Sequence, residues 1–202
     1  MPAPSNDDAR ARLTASLQLM NDVLASSPIA GRYWVNGGLL LGWAREGAIL
    51  GHDCDDVDFF YRAEDTARLE ASFPVLEEAG FRLSLRFPGA YGDATEHSFR
   101  RDGAKFEFFR AELVGDRVRY WNYGFGPHGP VANEARIPAQ PLERFYFLGR
   151  SWLKVRDHDA ELTAMYGDWR TPEPGWDYLR GPAIMATKPW DPSSFDLTGG
   201  HG

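Results

Sequence analysis

The chain has few of the devices that stabilise small proteins or tie them to other molecules. Among 202 residues there is one cysteine, Cys54, so no internal disulfide can form and no cysteine zinc cluster can be built. No apolar run approaches the roughly 20 residues that a membrane-spanning helix needs. Basic residues are not in excess: 22 Lys and Arg stand against 29 Asp and Glu, a net charge of −7. Nucleic-acid binding depends on a basic face, so no nucleic-acid partner is expected. The first residues, MPAPSNDDARAR, carry acids and lack the apolar centre of a secretory leader, and a cytoplasmic location is expected. Internal repeats and low-complexity blocks are also missing.

What the chain does have is enough material for one real core. Apolar residues make up 43% and aromatic residues 14%, a composition that a disordered chain does not carry. Residues 1–8 read as a disordered arm, 9–180 as one domain and 181–202 as a tail. Leu13, Leu17, Met20 and Leu24 recur at helical spacing before Pro28. A short strand over 32–36, a Gly37-Gly38 turn and an apolar helix over 39–45 follow. After a loop over 49–55, Asp56 to Tyr61 reads as a strand. A helical pattern covers 66–79, interrupted by Pro74. Strands are expected over 81–87, 97–101, 105–113 and 117–123. Residues 124–141, rich in Gly and Pro, read as a long loop. Leu142–Leu148 reads as a strand and 157–166 as a helix closed by Gly167. The whole is an α+β fold, a mixed β-sheet flanked by helices.

Four aspartates, Asp53, Asp55, Asp56 and Asp58, crowd into six positions behind His52. Such a run is tolerated if it is fully solvated or if a cation neutralises it. It leads straight into Phe59-Phe60-Tyr61, which must be partly buried, and that favours the cation. Residues two apart on a strand share a face, so Asp56 and Asp58 project together. Paired carboxylates on a rigid strand suit Mg²⁺, or Mn²⁺ in its place. Asp53 and Asp55 have the same spacing and are candidate additional ligands. The run is not an EF-hand, because the required glycine and glutamate are missing. A further acid from a neighbouring strand is expected, and Glu107, on the opposite face from Phe106 and Phe108, is the candidate; the alternative is an outward-facing acid on an amphipathic strand.

Asn36-Gly37-Gly38-Leu39-Leu40-Leu41-Gly42 joins a strand to a helix. Glycines let a phosphate approach the backbone there, and the helix start offers free N–H groups. Arg45 follows at short range as a candidate bidentate phosphate ligand. The turn itself is neither a P-loop nor a GxGxxG turn. Lys154 is a further candidate for donor phosphates beside Arg156, and Trp121, Trp169 and Trp176 are candidates for stacking a base or sugar. His97 and His128 are candidate substrate contacts, although each reads more readily as a surface or loop histidine. Tyr33, Trp34, Phe108 and Phe109 read as core.

Gly37-Gly-Leu-Leu-Leu-Gly-Trp-Ala-Arg45, followed by Gly51-His-Asp-Cys-Asp-Asp-Val-Asp58, resembles the signature of the LicD/fukutin family. Leu162-Thr-Ala-Met-Tyr-Gly-Asp-Trp169, with Pro172 and Pro174, is similar to that family's C-terminal element. The resemblance implies a nucleotidyltransferase fold of the polymerase β-like superfamily, with Mg²⁺ held by the aspartates. It implies transfer of a phosphorylated alcohol, of the phosphocholine, ribitol phosphate or glycerol phosphate type, from a CDP-linked donor to a glycan or other hydroxyl acceptor, releasing CMP. Asp56, Asp58, Glu107 and Arg45 would be catalytic, and Gly37, Gly38, Arg45 and Lys154 would bind the donor. The sequence departs from the family pattern in carrying one extra acidic residue, with His52 in place of a Trp. Counting from Arg45 therefore selects Asp53 and Asp55, and counting back from Asp58 selects Asp56. The same glycine–arginine–aspartate set also resembles small antibiotic nucleotidyltransferases, which move a nucleoside monophosphate from an NTP and release pyrophosphate. A non-catalytic domain of the same fold is the remaining alternative.

Overall fold

The computed structural model describes residues 6–89 and 92–191. Helix α1 (Asn6–Leu24) lays Leu13, Leu17, Met20 and Leu24 along one buried stripe, as the spacing requires. It begins inside the stretch expected to be an arm. Strand β1 (Tyr33–Asn36) passes directly into α2 (Gly37–Glu46). That abrupt change of direction uses Gly37 at φ 59°, a conformation that only glycine adopts without strain. At the far end Gly47 takes a left-handed conformation and donates its N–H to Trp43, which stops the helix.

Strand β2 (Asp56–Arg62) follows, then α3 (Thr66–Glu70) and α4 (Phe73–Glu78). The helical pattern over 66–79, expected to be interrupted by Pro74, is thus two helices. Pro74 falls in the first turn of α4, where its missing N–H leaves no bond unmade. Next come β3 (Arg82–Gly89), β4 (Gly92–Arg101), β5 (Ala104–Val114), β6 (Arg117–Gly126) and β7 (Gly129–Pro138). The chain continues through β8 (Leu142–Phe147), β9 (Arg150–Val155), α5 (His158–Tyr166) and β10 (Ile184–Pro189).

Eight strands form one mixed sheet in the order β1-β2-β5-β6-β7-β10, with β4 paired to β5 and β3 to β4. Only the β2–β5 pair is parallel in this sheet; its other pairs are antiparallel. The β8–β9 hairpin is a separate small sheet. Among the described residues, no helix is long and apolar enough to cross a membrane.

Two expectations are corrected. The Gly/Pro-rich stretch 124–141 is not a long loop: β6 continues to Gly126 and β7 pairs with it from Gly129. Cross-strand bonding overrides composition here, with prolines only at the strand's ends and glycines at its turn. The letters Gly124-Phe-Gly-Pro-His-Gly129 happen to have dinucleotide-fingerprint spacing, but they form a hairpin tip, not a strand-to-helix turn. The stretch from 181, expected to be a tail, is the second correction, because β10 within it adds an edge strand beside β7.

The core divides across the sheet. One face buries Val35, Val57, Phe59, Tyr61, Phe106 and Phe108 beneath α1, α2 and α4. The other buries Trp34, Phe60, Val118, Tyr120 and Ile137, with Ala164 and Met165 of α5 packed on them. Fully burying one such side chain stabilises the fold by about 1.5–3 kcal/mol.

Candidate active site

On the α5 side of the sheet lies a cleft of about 950 Å³. Its floor is set by strand register. Asn36 stands opposite Asp58 across β1–β2, while Asp56 pairs with Lys105 and Asp58 with Glu107 across β2–β5. The acids at 56, 58 and 107 therefore share one sheet face, and oxygens from all three lie within 4.8 Å of one another. Glu96 reaches the same floor from β4, where it is buried. Ser98, directly opposite Glu107, bridges the two glutamates, its Oγ lying 2.9 Å from Glu96 and 3.0 Å from Glu107.

The glycine pair has a structural reason beyond phosphate approach. A methyl group on Gly37 would fall 2.0 Å from Asp58 Oδ2, and one on Gly38 would fall 1.8 Å from Asp53 Oδ2. The start of α2 thus seats two carboxylates against its backbone, which only residues without a side chain permit. Arg45, in the last turn of α2, lines the cleft with its guanidinium largely enclosed and Nη2 3.3 Å from Glu46. Its Nε finds no partner among the described residues.

Crowding and burial decide which groups hold protons. Burial, followed by the charge of Glu107, pushes Asp56 up to about 7. Asp58 is raised well above the carboxylate range by burial and then by Asp56, Glu107 and Asp53. Burial also raises Asp53, and it raises Glu96 strongly with help from the Glu107 charge. Burial would raise Glu107 too, but hydrogen bonding from Glu96 and the Lys105 ammonium outweigh it and hold Glu107 ionised. Lys105 Nζ sits 2.7 Å from Glu107 Oε2 and 3.6 Å from Asp56 Oδ2.

Part of the lining is aromatic. Tyr166, Trp169, Trp176 and Tyr178 belong to it, with Tyr120 and Tyr123. Tyr166 and Trp176 pack at 4.6 Å between ring centres. Trp169 is pinned by its Nε1–H to Asp159 at 3.0 Å and by Arg170 stacked on its face.

Of the residues singled out in the sequence, the cleft gathers Gly38, Arg45, His52, Asp53, Asp56, Asp58, Glu107, Trp169 and Trp176. Gly37 supports Asp58 from behind. Asp55 is exposed outside the cleft lining; its carbonyl accepts the Lys105 backbone N–H at 2.8 Å, so it anchors the chain between strands. Lys154 is not brought to the cleft either. It is buried, 5.1 Å above the Trp43 ring, and pairs with Glu143, so its charge is already committed. Arg156 lies outside the cleft lining and also faces Glu143. Trp121 packs in a small cluster with Ala132 and Trp190. His97 is enclosed on the other sheet face by Phe73 and Tyr61, and His128 is exposed at the β6–β7 turn.

Asn36, Glu96, Lys105 and Tyr120 are cleft residues that the sequence did not single out. Their signal is pairing register, which a single chain does not display. Alternation along β5 links Lys105 to Glu107 and offered the one available hint.

The donor set suits a hard divalent cation: three carboxylates, no sulfur and no imidazole among the closest ligands. Asp56 Oδ1 is enclosed and without a protein partner among the described residues, as an oxygen reserved for a ligand would be. The residues present therefore fit Mg²⁺ or Mn²⁺, with Asp56, Asp58 and Glu107 as the side chains that would hold it.

A mixed-sheet domain with a glycine turn seated on strand-borne carboxylates is an arrangement suited to group transfer. Residues 31–124, spanning β1 to the later part of β6, match the family model described as LicD/FKTN/FKRP, nucleotidyltransferase domain. This match covers just under half of the chain; it supports assignment to the LicD/fukutin family and suggests a transferase-type protein. The match ends before α5, so the likeness of Tyr166–Trp169 to the family's C-terminal element rests on the motif alone. No curated protein matches the chain significantly.

Proposed function

We propose that the protein is a Mg²⁺-dependent phosphotransferase of polymerase β-like fold, acting in the cytoplasm. It would move a phosphorylated alcohol from a CDP-linked donor to a glycan or other hydroxyl acceptor and release CMP. The observation that carries this reading is the convergence of Asp56, Asp58 and Glu107 on the floor of a cleft that aromatic side chains also line. The family match over residues 31–124 supports the same class.

Asp56, Asp58 and Glu107 would hold the cation, which when bound supplies positive charge to the donor's diphosphate. Arg45 and Gly38 line the same cleft, and the guanidinium and the N–H groups at the start of α2 would offset charge that develops on the transferred phosphoryl group. Tyr166 and Trp176 offer a stacking surface for the cytosine or for a sugar ring. Glu107, the further acid expected from the sequence, is held ionised by Lys105 and bonded by Ser98, which suits a ligand better than a base. Asp53 has a raised affinity for protons, lines the cleft and lies outside the closest ligand set, so we assign it the base role. The acceptor hydroxyl would give its proton to Asp53 as its oxygen bonds to phosphorus. The bond from that phosphorus to the bridging oxygen then breaks, and CMP leaves with the electron pair.

Incubating the protein with Mg²⁺, an acceptor panel and either CDP-alcohols or NTPs, followed by ³¹P NMR, tests the reading. CMP is the expected product. Pyrophosphate would instead establish the NTP-dependent nucleotidyl transfer that His52 and Asp56-Val-Asp58 also suit. Metal-independent binding of CDP, with no turnover of either donor class, would point to a non-catalytic domain.

A further inference from the structure

Lys105 stands in the middle of the carboxylate floor. Three features put it there. Its position on β5 is in register with Asp56 and two residues from Glu107, so all three project to one face. Its backbone N–H is fixed to Asp55 O at 2.8 Å, which clamps the start of the strand. Its ammonium then reaches two of the three acids proposed to hold the cation, at 2.7 Å and 3.6 Å. The side chain keeps 30% of its exposure and lines the open cleft, so its head is free to turn.

One positive charge faces five acids at this floor, where Asp53, Asp56, Asp58, Glu96 and Glu107 all line the same cleft. A divalent cation is the stronger partner for Asp56 and Glu107. Once the acids are taken, the ammonium has a like charge as its neighbour and gains by moving to an anion. Lysine suits such a role: it is a point charge on a flexible stem, without the fixed fork of arginine. Apart from Lys105, Arg45 is the other Lys or Arg among the described cleft residues, so a diphosphate would draw on both.

Building on the metal-dependent reading above, we propose that Lys105 is a tethered cation that holds the carboxylate cluster together until a divalent ion replaces it, and then binds the donor's diphosphate. Lys105 thereby acts as a positioning residue that couples two binding events. It resists metal entry in the free protein and favours nucleotide binding in the metal-loaded one.

These two effects have opposite signs, and an ordinary structural role would not produce both. The test uses Mn²⁺, with the free ion followed by its paramagnetic resonance signal, and CDP binding measured by calorimetry at saturating Mn²⁺. Lys105→Met should bind Mn²⁺ about tenfold more tightly than the unaltered chain and CDP about tenfold more weakly, the size of one charge-assisted contact. Lys105→Arg, which keeps the charge, should stay near the unaltered chain in Mn²⁺ binding. Lys105→Gln serves if the methionine variant fails to fold, and is expected to shift both constants in the same directions. Mn²⁺ affinity that is unchanged or reduced in both neutral variants overturns the role of Lys105 while leaving the metal site standing. If neither the unaltered chain nor any variant binds Mn²⁺, the metal reading itself fails and takes this inference with it.

Discussion

Strands β2 and β5 lie side by side, and one step along them separates two kinds of chemistry. Phe59 stands beside Phe108, and the two rings stack at 5.1 Å, fully buried. The preceding pair, Asp58 beside Glu107, faces the other way into the cleft. The backbone is common to both pairs, and the parallel ladder holds them in the same register. One face gains from losing water; the other crowds like charges that burial makes costlier. Position on a strand of period two thus separates what holds the fold from what can bind a cation, and substitution on the two faces should have opposite consequences.

The largest effect is expected on the acidic face. Asp58→Asn should lower transferase activity by on the order of a thousandfold, as loss of a group that stabilises transition-state charge does. Without metal, the same variant should melt at a higher temperature than the unaltered chain, because a crowded carboxylate has gone. Activity retained above about a tenth of the original would remove Asp58 from the ligand set.

On the apolar face, Phe108→Ala should destabilise the fold by about 3–5 kcal/mol, read from urea unfolding. A cost under about 1 kcal/mol would mean that the two faces are less different than their burial suggests.

Glu161 sharpens the comparison because it is an acid buried where apolar residues predominate. It is 1% exposed, its Oε1 has no partner among the described residues, and burial pushes its carboxyl up to about 8 from an ordinary 4.5. Between those two values the unfolded chain is ionised while the folded chain keeps its proton, so rising pH favours unfolding across that window. Glu161→Gln should flatten the decline and be more stable than the unaltered chain by on the order of 2 kcal/mol at pH 8, with little difference near pH 5. Parallel stability–pH curves for the two proteins would show that Glu161 is not buried as a neutral acid.

The smallest effects separate two glycines of one helix. Gly47 is left-handed with open space around it, so Gly47→Ala should cost about 1 kcal/mol of stability and leave activity unchanged. Gly38→Ala should do the reverse, displacing Asp53 and lowering activity about tenfold with a smaller change in melting temperature. Equal activity in the two variants would mean that Asp53 needs no seat at α2.

Much of this was legible in the residues. The stripe Leu13, Leu17, Met20 and Leu24, the switch from strand to helix at Gly37 and the paired face of Asp56 and Asp58 follow from short-range periodicity. Glu107 could be named as a candidate because alternation around Phe106 and Phe108 turned it away from the core. What failed to read was set by partners far along the chain. The strand over Gly129–Pro138 exists because β6 bonds to it, against its composition. Lys154, a plausible phosphate ligand by charge, is buried beside Trp43 and Glu143, and charge alone does not reveal such a commitment.

Local sequence therefore determined the elements, the family signature and the acid-bearing segment, because helix and strand periods and the demands on glycine act over a few residues. Tertiary structure alone decided that Asp56 and Asp58, with Glu107, form the closest group while Asp55 anchors a strand, and that Glu96 and Lys105 join them on one floor. Register between β2, β4 and β5 makes that choice, and register is fixed by pairing across distances that no local pattern encodes.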